Sequence, residues 1–133
     1  MKINKILLVD DDYDLIEQNK LVLESKGFEV ITAESGEEGF EVFKKELPDA
    51  CVVDLIMEHH DSGFILSYKI KKTEHGKKIP VIILTSATYE TGFKFSASTK
   101  EEQSWIKSDG LINKPIVVEE LIAKFESFSN QST

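Results

Sequence analysis

The chain has 133 residues, of which 41% are hydrophobic and 30% charged, and its net charge is −8. This composition excludes a disordered chain and suits one domain with a real core. No apolar run approaches the ~20 residues that span a bilayer, and every basic residue is lysine, so neither a membrane segment nor direct nucleic-acid binding through arginine and phosphate neutralisation is expected.

Residues 1–5 lack the apolar stretch of a signal peptide, and a cytoplasmic location is expected. Ile6-Leu7-Leu8-Val9 runs into Asp10-Asp11-Asp12 and predicts a first strand over 5–10. Helix one is expected over 12–26, capped by Asp12, with Leu15, Ile16, Asn19, Val22 and Leu23 inward and Gly27 as its stop. Strand two spans 28–32. Ser35-Gly36-Glu37-Glu38 is a capping box that opens helix two, with Phe40 and Phe43 on the inner face and Pro48 beyond its end. Strand three covers 50–54, ends in Asp54 and holds the lone cysteine, Cys51, expected to be a buried thiol. After a loop to Ser62, helix three offers Phe64, Ile65, Tyr68 and Ile70 as its apolar positions. Lys77, Lys78 and Pro80 introduce strand four, Val81-Ile82-Ile83-Leu84, which ends in Thr85. Residues 86–98 read as a long polar loop carrying Tyr89, Phe93 and Phe95, and 99–107 as a helix with Trp105. Strand five, 111–113, runs into Lys114-Pro115, and helix five covers 117–128 ahead of a frayed polar tail, 129–133.

Short, uniformly apolar strands alternating with helices predict an α/β fold, a doubly wound five-stranded parallel sheet with helices on both faces. In such a sheet the carboxyl ends of the strands share one edge, where ligands bind. Asp10-Asp11-Asp12, Asp54, Thr85 and Lys114 are therefore expected to converge on one pocket. Carboxylates gathered this way repel one another and either take up protons or recruit a cation, for which a hard divalent ion is the natural choice. Mg²⁺ is suited to one or two protein carboxylates with its other positions left to water, carbonyl or phosphate oxygen. An ammonium and a hydroxyl beside it complete a clamp for phosphoryl oxygens, and an Asp carboxylate can itself be the nucleophile.

The ordered set Leu8-Val9-Asp10-Asp11-Asp12, Val53-Asp54, Leu84-Thr85-Ser86 and Asn113-Lys114-Pro115 resembles a response-regulator receiver domain over almost the whole chain. The resemblance implies the strand order 2-1-3-4-5 and a phosphoryl donor that is a sensor histidine kinase or a phosphotransfer protein. It implies that Asp54 is the phosphoacceptor, that Asp11 binds Mg²⁺ directly while Asp10 acts through water, and that the Ile56 carbonyl is a further metal ligand. Thr85 and Lys114 would then grip the phosphoryl group, with Pro115 fixing the turn that aims Lys114. On this reading residues 1–128 are a stand-alone receiver that catalyses only its own phosphorylation and then changes affinity for a downstream protein partner, a weak homodimer being allowed.

The chain departs from the family in four places. Glu58 stands where a proline is usual, and Gly63 follows Asp54 one residue later than usual. Leu111 replaces the usual aromatic after Gly110, and the stretch from Thr85 to Lys114 is longer than usual. Ile56 and Ala87 cannot orient an attacking water, so slow self-dephosphorylation is expected. The alternative is a pseudo-receiver, an interaction module that works without phosphorylation. A calcium loop fails because Leu15 and Leu21 fill its glycine and glutamate positions. A dehalogenase-type phosphatase, with its nucleophile on strand one in Asp-x-Asp-x-Thr or Val, fails because Asp14 fills the Thr or Val position. Glu58-His59-His60-Asp61 is more simply a solvated loop than a transition-metal site.

Overall fold

The computed structural model describes residues 3–55, 62–85, 110–113 and 116–131. In chain order the elements are β1 (Lys5–Val9), α1 (Tyr13–Ser25), β2 (Glu29–Ala33), α2 (Gly36–Glu46), β3 (Ala50–Asp54), α3 (Ser62–Lys71), α4 (Glu74–Lys77), β4 (Val81–Thr85), β5 (Gly110–Asn113) and α5 (Val118–Gln131). The five strands form one parallel sheet in the order β2-β1-β3-β4-β5.

Alternation along the strands splits the core in two, because successive side chains point to opposite faces. Ile6, Leu8, Ala50, Val52, Ile82 and Leu84 pack with Ile16 and Leu23 of α1 and with Leu121 and Phe125 of α5. Leu7, Val9, Cys51, Val53 and Val81 pack with Phe43 of α2 and with Leu66 and Ile70 of α3. Helices thus cover both faces, and β3 and β4 are buried along their whole length. Cys51 is a buried thiol outside any disulfide. Among the described residues no helix is long and apolar enough to cross a membrane.

Helix starts follow the expected chemistry. Asp12 Oδ1 accepts from the N–H of Asp14 at 3.0 Å and of Leu15 at 3.2 Å, capping α1. Ser35 Oγ accepts from Glu38 N–H at 3.0 Å, but the Glu38 carboxylate accepts in return from the N–H of Glu34, one residue before the cap. α2 ends at Glu46, just ahead of Pro48 as expected, but the form of its cap had no sequence signal. Leu47 adopts a left-handed conformation (φ 47°) and donates to the Phe43 carbonyl, in a position that usually goes to glycine.

The buried faces differ from expectation in two helices. In α3 the inner stripe is Gly63, Leu66, Ser67 and Ile70, while Ile65 and Tyr68 are exposed. Apolar residues surround this helix, so their spacing alone does not select a side. The stripe that is buried follows the i, i+3, i+4, i+7 rule and turns a glycine to the sheet. In α1, Val22 lies outside with Leu21. The short α4 has no counterpart among the expected elements; Thr73 caps it, and His75 Nε2 lies 2.6 Å from the Pro48 carbonyl, tying it to the start of β3. α5 continues as helix to Gln131, past the expected end at Phe128.

Candidate metal and phosphoryl site

The site is assembled by strand register. Val9 pairs with Val53, and Asp54 pairs with Leu84, so Asp10 and Asp54 end adjacent strands at one edge of the sheet. Thr85 lies on the next strand, one residue beyond Asp54's partner, and pairs with Asn113. Asp10 and Asp54 are buried and Asp11 is exposed, and one carboxylate oxygen from each lies within 4.8 Å of the other two. Thr85 is also buried.

Local geometry sorts the acidic run into different tasks. Asp10 donates its N–H to the Ala33 carbonyl at 3.1 Å and accepts at Oδ1 from Asp12 N–H at 3.0 Å. That side-chain-to-backbone turn fixes the Asp10 carboxyl while leaving it beside Asp54. Asp12 is spent on capping α1, so the three carboxylates that meet are those of Asp10, Asp11 and Asp54. Among the described residues no buried side-chain nitrogen or oxygen lacks a hydrogen-bond partner.

Two unit charges 4.8 Å apart repel by about 3.5 kcal/mol at an effective dielectric of about 20. A bound cation relieves this repulsion among three acids, two of them buried. An all-oxygen donor set suits a hard divalent ion such as Mg²⁺, and an exposed Asp11 leaves an open side for water or a phosphoryl oxygen. The residues present therefore fit the ion expected from the sequence.

The strand end that carries Asp54 is pinned from two sides. Leu55 donates to the Leu84 carbonyl at 2.8 Å and accepts from Gly63 N–H at 2.8 Å. A Cβ on Gly63 would collide with the Asp54 carbonyl and would lie 2.6 Å from Leu55 Cα and 2.8 Å from the Leu55 carbonyl oxygen. The glycine noted as one residue late is thus the first-turn residue of α3 that lies against the acceptor strand. Sequence reasoning saw its spacing but not this contact.

The structure brings together Asp10, Asp11 and Asp54, with Thr85 on the neighbouring strand. Lys114, Pro115, Ile56 and Ala87 lie outside the described residues, as do Glu58 to Asp61, the loop with Tyr89, Phe93 and Phe95, and Trp105.

A family model for the response regulator receiver domain matches residues 6–126. The transcriptional regulatory protein GlrR of Escherichia coli (strain K12) is 46% identical over 81 residues, covering 61% of this chain and 18% of that protein. The transcriptional regulatory protein RprY of Bacteroides fragilis is 33% identical over 127 residues, covering 92% of this chain and 48% of that protein. The chain thus spans less than half the length of these relatives. The response regulator TrrA of Thermotoga maritima, solved in complex with Mg²⁺ and BeF, superposes with a TM-score of 0.72 at 28% identity, covering 95% of this chain and 99% of that one.

Proposed function

The chain belongs to the response-regulator receiver-domain family, and on that premise we propose that Asp54 accepts a phosphoryl group in a two-component phosphorelay. The donor is a phosphohistidine on a sensor histidine kinase or a phosphotransfer protein. An Asp54 carboxylate oxygen attacks phosphorus, and the P–N bond breaks with its electron pair passing to the imidazole, which takes up a proton. The product is an acyl phosphate on Asp54. Asp10, Asp11 and Asp54, with the Ile56 carbonyl, would hold Mg²⁺, which when bound neutralises charge among the acids and on the phosphoryl oxygens. Thr85 donates its hydroxyl to one phosphoryl oxygen and the Lys114 ammonium pairs with another. The chain acts on itself once per phosphorylation and signals by changed affinity for a protein partner, in the cytoplasm and without touching nucleic acid.

One observation carries this reading. Acids more than forty positions apart in sequence bring their carboxylates within 4.8 Å of one another at the carboxyl edge of a parallel sheet. Intact-mass spectrometry after incubation with acetyl phosphate and Mg²⁺ tests it. A single phosphoryl adduct is expected, lost in Asp54→Asn and in excess chelator. A folded wild-type protein that gains no adduct contradicts the proposal and favours the phosphorylation-independent module, for which Leu111, half-buried on β5 where the family has an aromatic, is the motivating feature.

A further inference from the structure

Residues 62–78 hold five lysines and one glutamate, a net charge of +4 in a chain whose total is −8, so the remainder carries −12. Folding concentrates this charge on the end of α3 and on α4. Lys69, Lys72, Lys77 and Lys78 are exposed, and among the described residues none of them forms an ion pair. An open cleft of about 340 Å³ lies beside Lys72 and Lys77, walled among the described residues by Tyr68, Lys71, Lys72 and Lys77. The Lys72 ammonium lies 4.7 Å from the centre of the exposed Tyr68 ring. Lys71 is committed to the fold, since its ammonium donates to the Ile79 carbonyl at 2.9 Å.

Lysines in the last turn of a helix complement its dipole, which accounts for Lys69 and Lys71. It does not account for Lys72, Lys77 and Lys78, beyond α3 and at the end of a helix of four residues. Like charges so close cost stability rather than add to it. We propose that this lysine face is a docking surface for an acidic segment of a protein partner, whose carboxylates pair with Lys72, Lys77 and their neighbours while a side chain packs on Tyr68. Charge complementarity selects this occupant, because the rest of the protein repels anions and makes this face the place where an acidic chain is steered.

Titration of the whole chain with an oligo-glutamate peptide, followed by amide NMR, tests the proposal. Saturable shifts confined to residues 68–78 are expected, weakening as salt rises. Lys72→Glu and Lys77→Glu should each lower the affinity roughly tenfold. Lys26→Glu, which makes the same charge change just past the end of α1 across the sheet, should leave it within about twofold, and circular dichroism confirms that each variant is folded. Shifts centred elsewhere, or equal losses in all three variants, would overturn the proposal. So would a short DNA duplex that outcompetes the peptide, or self-association of the protein through the same residues in its absence.

Discussion

Replacing Gly63 by alanine places a methyl group 2.6 Å from Leu55 Cα and 2.8 Å from the Leu55 carbonyl oxygen, where ordinary contact needs well over 3 Å. The obstructing atoms are backbone, already held by bonds to Leu84 and from Gly63 itself, so no side chain can swing away. Either α3 lifts off the sheet or the end of β3 moves. Overpacking of this kind costs about 1–3 kcal/mol. For a chain of this length about 2 kcal/mol lowers the melting temperature by roughly 6–10 °C. Because β3 ends in Asp54, a shift of several tenths of an ångström also separates the acceptor from Asp10 and Asp11. Misplacement by about 1 Å can cost up to ~10²-fold in rate, and a tenfold or greater slowing of phosphorylation by acetyl phosphate is expected, scored per folded molecule. Gly39→Ala is the matched control. Its Cβ would meet Leu66 Cδ2 at 3.0 Å and Val9 Cγ2 at 3.1 Å, side-chain rather than backbone contacts that need a shift of only a few tenths of an ångström, and it gains up to ~1 kcal/mol of helix propensity. That variant should stay within about 1 kcal/mol of wild type and phosphorylate normally. A Gly63→Ala protein with unchanged melting and unchanged phosphorylation would refute the reasoning.

Leu47→Gly should stabilise the protein by about 0.5–1 kcal/mol in urea unfolding, because it relieves a left-handed residue that is more than half exposed and buries little. Asp12→Ala should lose about 1 kcal/mol from the α1 cap yet retain Mg²⁺-dependent phosphorylation, since its carboxylate is engaged by Asp14 and Leu15; loss of phosphorylation in a folded Asp12→Ala protein would contradict the division of labour in the acidic run. The phosphorylated protein, followed by intact mass after removal of the donor, should lose its adduct slowly, because Ile56 and Ala87 offer no group to orient water; a lifetime of seconds would contradict this.

The frame of the molecule was legible because its signals are local and redundant. Strands without polar alternation can only be buried on both faces, and Asp12 and Ser35 are residues whose side chains cap helices wherever they precede one. The meeting of Asp10 and Asp54 followed from the shared edge of a parallel sheet, and the geometry agrees. What escaped was set by packing. Leu66 and the polar Ser67 are buried in α3 while Ile65 and Tyr68 face outward, a choice made by where Gly63 lets the helix approach β3. Val22 is apolar yet outside, and α4 has four residues in a lysine-rich stretch with no apolar period to announce it. Leu47 shows the limit most plainly, for nothing in a leucine announces a left-handed turn.

The most direct test of the site is titration with beryllofluoride, a phosphoryl mimic, with and without Mg²⁺, read by amide NMR on wild type and Asp11→Asn. Saturable shifts at Asp10, Asp54 and Thr85 that require Mg²⁺, and that vanish in the variant, are predicted. Shifts that ignore the metal, persist in Asp11→Asn or spare Asp54 would contradict a phosphoacceptor built on these carboxylates.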